Sequence, residues 1–272
     1  MPDTKKLRNR IRSVNSTLHL THAMELVASS KIRKANQRME ASGDHAAAFR
    51  AAMDILAASG SCAESVWMRG AREEGAEPKT LLVVIAGDRG LAGGYNANIF
   101  RFLRDWPGAE IIPVGKRACE RFNPGGTRLL AEPFSAADAN AMAETLCAAF
   151  SEGRADRVGI LYTELTSMMS QTPKLRWILP LTAPEGVKPA DMIFEPDERE
   201  ILETAVPAYV AGELMACVRE SFASEVASRR NAMDAAGKNA REMIDDLQLQ
   251  YNRVRQGAIT QGITEIVAGG NA

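Results

Sequence analysis

The chain has 272 residues, 46% hydrophobic and 25% charged, with a formal net charge of −1. That composition is ordinary for a globular chain and excludes wholesale disorder. No run of about 18 apolar residues stands out, so no membrane span is expected. The start, Met1-Pro2-Asp3-Thr4-Lys5-Lys6-Leu7, enters a periodic pattern at once, without the apolar core of a signal peptide.

Eleven of the twelve prolines lie between Pro78 and Pro207, so residues 3–77 and 208–272 contain none. Proline inside a helix costs about 3 kcal/mol. Two long proline-free ends around a proline-bearing middle therefore predict terminal helices flanking a globular insert. At the first end, Leu7, Ile11, Val14, Leu18, Thr21, Glu25, Ala28, Ile32, Ala35 and Met39 recur at alternating steps of four and three. That spacing is a heptad seam. Leu20, Met24 and Val27 form a second apolar row beside it. The pattern continues through Ala46, Phe49, Met53 and Leu56, and Ser59-Gly60-Ser61 gives a stop signal. Residues 1–40 carry nine Lys/Arg against three Asp/Glu, a local charge of +6. A basic helix meets nucleic acid or an acidic protein surface, or is simply a solvated face.

The middle reads as a small α/β domain. Leu81-Leu82-Val83-Val84-Ile85-Ala86 is a continuous apolar run, as in a strand buried on both faces. A glycine-rich turn, Gly87 to Gly94, precedes a helical pattern from Asn96 to Asp105. Strands are expected at 111–114, 158–162 and 175–179, and a helix from Ala136 to Ser151. The alternation implies a mostly parallel sheet covered by helices. Pro180 to Pro196 reads as a linker.

In the last segment, Ala211, Met215, Val218 and Phe222 make one stripe, and Ile244, Leu247, Tyr251, Val254 and Ala258 resume it. A helix from Ala208 to about Ala268 would be roughly 90 Å long, against a radius of gyration of about 18 Å for a compact chain of this length. It must protrude, and its partner is the other terminal helix, antiparallel to it. A seven-residue repeat implies a left-handed supercoil. Gly212, Gly237, Gly257 and Gly262 interrupt this helix. Their use would be close approach of a second backbone or of a partner surface.

Candidate chemistry is sparse. The turn after the first strand lacks the Lys-Ser/Thr of a P-loop, and Gly87, Gly90, Gly93 and Gly94 do not have dinucleotide-fingerprint spacing. A tight turn in which Asp88 and Arg89 fix the backbone is the alternative. His19 and His22 could offer two metal ligands, with no third in view. Cys62, Cys119, Cys147 and Cys217 are far apart without metal spacing and read as buried thiols of a reducing compartment. No catalytic nucleophile, base or carboxylate pair is recognisable, and no cofactor is expected.

The segments Leu7-Arg8-Asn9-Arg10-Ile11-Arg12-Ser13-Val14 and Thr21-His22-Ala23-Met24-Glu25-Leu26-Val27-Ala28-Ser29-Ser30-Lys31-Ile32-Arg33-Lys34-Ala35 resemble the first helix of F-type ATP synthase gamma subunits. Asp88-Arg89-Gly90-Leu91-Ala92-Gly93-Gly94-Tyr95-Asn96 is similar to that family's middle-domain turn, with Ala92 where cysteine is common. Gln171-Thr172-Pro173 and Leu179-Pro180-Leu181 also match. So do Asp245 to Gln256, Ala258 to Gln261 and Thr264 to Gly269 of the last helix.

The resemblance covers essentially the whole chain. It implies an antiparallel coiled coil of the terminal helices (1–60 and 208–272) around an inserted Rossmann-like α/β domain (78–190). It implies a non-catalytic central-stalk rotor, coupling rotation of a membrane c ring to the catalytic beta subunits. The partners would be three alpha and three beta subunits, an epsilon subunit and the c ring, with no nucleic acid. The location would be the cytoplasmic side of the cell membrane, peripherally. Met24, Lys31, Arg33 and Lys34 match positions facing an acidic segment of beta. Arg255, Gln256 and Thr260 match positions touching a loop of alpha and beta, and Phe194 and Glu195 match the foot near epsilon and the c ring. Gly262 stands where the family usually has Glu, which implies weaker engagement with the stator there.

Overall fold

A computed structural model describes residues 2–68, 78–183, 186 and 194–269, with side chains from 4 to 266. Most of the linker expected between Pro180 and Pro196, and the expected end of the middle domain at 190, lie outside the described residues. Five helices and four strands are present among them: α1 (Pro2–Ala57), β1 (Thr80–Ile85), α2 (Tyr95–Phe102), β2 (Glu110–Val114), α3 (Lys116–Phe122), α4 (Ala136–Ser151), β3 (Arg157–Leu165), β4 (Gln171–Leu179) and α5 (Glu198–Gly269).

The chain divides into two compact units. Residues 1–29 with 229–272 form a helix-pair unit, and residues 30–228 form an α/β unit. Every heptad position named in α1 is buried or half-buried, so the step of three and four does mark the packed stripe. Within the helix-pair unit, Arg8 donates to the Tyr251 hydroxyl at 2.9 Å. Thr21 and Leu18 are the side chains nearest Gly237. As the residue number rises on α1 it falls on α5, so the helices are antiparallel. Thr21, Ala28, Met233, Gly237, Ala240, Ile244 and Leu247 are the buried residues of this unit among those described.

The α/β unit is built on a sheet of order β2-β1-β3-β4. β1 is parallel to β2 and β3, while β4 returns antiparallel along β3. β1 is buried along its whole length, as its uninterrupted apolar run requires. One face packs a large core of Met53 and Leu56 from α1, Leu146 and Phe150 from α4, and Leu202 to Val218 from α5. The other carries Leu82, Val84, Ile99, Leu103 and Leu161, edged by Phe100, Trp106 and Phe122. Gly115, at φ +89°, is obligatory between β2 and α3, because a Cβ there would stand 1.9 Å from the Ala86 carbonyl oxygen.

Two sequence expectations need correction, and a third needs a gloss. α5 begins at Glu198, ten residues before Ala208, and holds Pro207 inside it. The loss of one backbone hydrogen bond, about 3 kcal/mol, is outweighed because Leu202, Val206 and Val210 are fully buried, at about 1.5–3 kcal/mol each. Asp197 helps by accepting from the Glu200 N–H at 2.9 Å. Second, the glycines of α5 do not serve close approach of another backbone within the chain. A Cβ on Gly212 or Gly237 would make ordinary contacts at 3.8 Å, and one on Gly257 or Gly262 would meet nothing within 4 Å. Third, α5 does contain an 18-residue window with a mean hydropathy of 1.4. It is 56% buried within the molecule, so its apolarity belongs to the core.

Candidate partner-contact surfaces

The helix-pair unit leaves much of its apolar surface uncovered. Nine of the thirteen exposed large apolar side chains among the described residues belong to it: Leu20, Leu26 and Val27 on α1, and Met243, Leu249, Val254, Ile259, Ile263 and Ile266 on α5. Met24 is half-buried between exposed Ala23 and half-buried Glu25. The pairs Arg8–Tyr251 and Thr21–Gly237 fix the antiparallel register, and by that register the first residues of α1 lie opposite the residues near 257. Beyond that point α5 has no described residue of α1 alongside it. Ile259, Ile263 and Ile266, spaced four and three apart, stripe this extension at 52%, 57% and 76% exposure.

Arg255, Gln256 and Thr260 are exposed on or beside the same extension. The Thr260 hydroxyl donates to the Gln256 carbonyl at 3.0 Å, and Thr264 repeats this to Thr260 at 2.9 Å. Both threonines are thereby satisfied inside the helix and remain acceptors toward a partner.

In the α/β unit the basic residues of α1 divide. The Lys31 ammonium lies 2.6 Å from a Glu132 carboxylate oxygen, whose other oxygen is 3.8 Å from Arg89. Arg33 and Lys34 are exposed and make no ion pair with a described residue. Phe194 is half-buried against the main core, whereas Glu195 is exposed. Phe194 therefore anchors the segment entering α5, and Glu195 presents a carboxylate to solvent.

The glycine-rich turn is held from several sides. Asp88 accepts from the N–H groups of Lys116 and Ala131 at 3.0 Å and of Glu132 at 2.8 Å. Asn96 accepts from Gly87 N–H at 2.8 Å, and Ser228 donates to the Ala92 carbonyl at 2.8 Å. The buried Tyr95 hydroxyl lies 2.9 Å from the Ser221 carbonyl and 2.7 Å from its hydroxyl. Burial raises the Tyr95 pKa, and so does the neighbouring Glu225 carboxylate, so the phenol stays protonated. The crevice beyond the carboxyl ends of β1 and β3 is where an open α/β sheet usually takes a nucleotide. Here α5 fills it: the Glu225 carboxyl carbon lies 2.8 Å from where a Gly87 Cβ would be, and Ser221, Ser224 and Glu225 are buried beside it.

Among the described residues no group of three His, Cys, Asp or Glu could hold a metal ion. His22 instead faces Glu25 at 3.5 Å. All four cysteines are buried and free. Burial pushes the Cys217 thiol up to about 12 and the Cys147 thiol to about 11, which makes them poor nucleophiles at neutral pH.

Three exposed residues escaped the sequence reading. Leu91 is 63% exposed with φ at +61°, a strained backbone for a leucine. Met169, at the tip between β3 and β4, is 80% exposed, and Trp177 on the β4 edge is 40% exposed. Only Leu91 had a signal, its place inside the glycine-rich motif.

A family model for ATP synthase matches residues 3–272. The ATP synthase gamma chain of Ruminococcus albus is 38% identical, over 98% of this chain and 97% of that one. Among solved structures, a chain of the Euglena gracilis mitochondrial ATP synthase OSCP/F1/c-ring has a TM-score of 0.69 at 18% identity, covering all of this chain and 94% of that one. A chain of the Tetrahymena thermophila mitochondrial ATP synthase central stalk/c-ring has a TM-score of 0.59 at 25% identity, covering 80% of this chain and 99% of that one.

Proposed function

This chain belongs to the ATP synthase family as a gamma chain, and on that premise we propose that it is the non-catalytic shaft that couples rotation at a membrane c ring to the catalytic beta subunits. The observation that carries this reading is the distribution of exposed apolar side chains. A helix pair that leaves Leu20, Val27, Ile259, Ile263 and Ile266 in water needs a sleeve. A ring of three alpha and three beta subunits supplies one. The ion-driven turn is then a rigid-body motion that the ring reads as changing contacts.

The residue roles follow by unit. In the helix-pair unit, Met24 with Leu20 and Val27 meets a beta subunit, and Arg255, Gln256 and Thr260 meet an alpha/beta loop. In the α/β unit, Arg33 and Lys34 meet the acidic segment of beta. Lys31 is held by Glu132 and exchanges that partner for beta only at the cost of the internal pair. Glu195 faces the epsilon subunit and the c ring, positioned by the half-buried Phe194. The chain itself performs no ATP chemistry, since the crevice its fold would use for a nucleotide is filled by Glu225 and its neighbours on α5. It works peripherally on the cytoplasmic side of the cell membrane.

An affinity-tagged copy at native expression level tests the reading. Co-purification with alpha and beta subunits and ATPase activity is expected. Purification without them sinks it, and salt-dependent DNA binding would favour a nucleic-acid role for the +6 segment.

A further inference from the structure

Glu213, on α5, is fully buried, and its carboxylate is shared between two arginines from different elements. One oxygen accepts from Arg50 of α1, through Nε at 3.0 Å and Nη2 at 2.5 Å. The other accepts from Arg176 Nη1 of β4 at 2.9 Å. Arg176 then donates through Nη2 to the Tyr162 hydroxyl of β3 at 2.7 Å, with its guanidinium 5.0 Å from that ring's centre. One carboxylate thus ties both long helices to two strands of the sheet.

Stability alone is a poor reason for this arrangement. Glu213 is buried while the Arg50 and Arg176 side chains stay 41% and 26% exposed, so the carboxylate bears most of the lost hydration, and well-packed apolar residues in place of such an ionic group are often as stable or more so. What charges add is register. Apolar side chains accept a range of sliding arrangements, whereas a carboxylate gripped on both oxygens by planar guanidinium forks accepts one.

We propose that Glu213 is a positioning residue for rotary coupling, fixing the sheet to α1 and α5 together so that a turning force on one is delivered to the others without slip. This rests on the gamma-chain reading above. Arg50 grips α1, Arg176 grips the sheet, and Glu213 is the pivot both hold.

The test uses the complete membrane-bound synthase in vesicles, reading the ratio of ATP-driven ion pumping to ATP hydrolysis per assembled complex. Glu213→Gln removes the charge and should lower the ratio about twofold or more, given the strong non-additivity within buried ionic networks. Arg176→Lys keeps the charge but loses the second donor to Tyr162, and a smaller fall is expected. The triple variant Arg50→Met, Glu213→Leu, Arg176→Met should recover thermal stability while the ratio stays low. A ratio equal to that of the unsubstituted complex in Glu213→Gln and Arg176→Lys, or its recovery in the triple variant, overturns the inference and leaves Glu213 a packing residue. Should Glu213→Gln not assemble, Arg176→Lys and the triple variant decide. If the unsubstituted chain itself neither assembles nor pumps, it is the gamma-chain reading that fails.

Discussion

The helix-pair unit and the α/β unit solve opposite problems with the same helices. In the α/β unit large side chains go inward: Phe134, Phe150, Tyr162 and Ile178 are almost fully buried. In the helix-pair unit the interface is narrow and partly built from Thr21, Ala28, Gly237 and Ala240, while large aliphatics face out. A unit that buries its apolar surface is stable alone; one that displays it stores affinity for a partner. Substitutions should therefore act on folding in the first unit and on assembly in the second.

The largest effect is expected at Phe150, fully buried on α4 and stacked on Trp67 at 6.0 Å between centroids. Phe150→Ala should cost about 3–5 kcal/mol, read by urea unfolding of the isolated chain. A cost near zero would mean the core is loosely packed. Next is Asp88, which accepts three backbone N–H groups from α3 and from residues 131 and 132. Asp88→Ala leaves those donors unpaired at about 1–3 kcal/mol. Hydrogen exchange should then speed up at Lys116, Ala131 and Glu132, while the helix-pair unit stays protected.

These two sites differ in how far they could be foreseen. Strand β1 and helix α4 were legible because an unbroken apolar run and a long periodic segment each have one favourable solution. The heptad seam of α1 was legible because its period is local. Helix α3 was missed, being seven residues long and announced only by Gly115. The antiparallel return of β4 was invisible, since a run of strand residues carries no sign of its direction. Pro207 misplaced the start of α5, because propensity is local and the burial that overrides it is not. At the contact surfaces, the charges of Lys31, Arg33 and Lys34 could be read but not sorted. Glu132, the partner that sets Lys31 apart, is 101 residues away in sequence.

Smaller effects sharpen the contrast. Ser135 and Asp138 form a reciprocal cap at the start of α4, and those hydrogen bonds hold the Asp138 carboxyl below its usual range. A depressed folded-state pKa means stability that is present above the unfolded value and lost as pH falls through the folded one. Ser135→Ala should cost about 1 kcal/mol at neutral pH, and the deficit should shrink in thermal unfolding as Asp138 becomes protonated. Gly237 offers the reverse sign. Its Cβ would meet Thr21 and Leu18 at 3.8 and 3.9 Å, ordinary contact distances. Gly237→Ala should therefore raise stability by about 0.5–1 kcal/mol through helix propensity, and a loss instead would show the helices closer than this.

Gly262 should have the least effect on the isolated chain and the most telling one on the assembly. It lies on the extension of α5 beyond the reach of α1, and a Cβ added there would meet nothing within 4 Å. Gly262→Glu removes a flexible residue worth about 1 kcal/mol against Ala in a helix. In the free protein that gain is diluted by fraying at the helix end, so urea unfolding should barely move. In the complex the new carboxylate would stand beside Gln261 and Ile263, within the surface assigned to the alpha/beta loop. Rotor–stator engagement there should tighten, seen as a changed torque or a higher ratio of pumping to hydrolysis. If both readouts stay level, the extension does not meet the ring at this turn, and the outward isoleucines need a different partner.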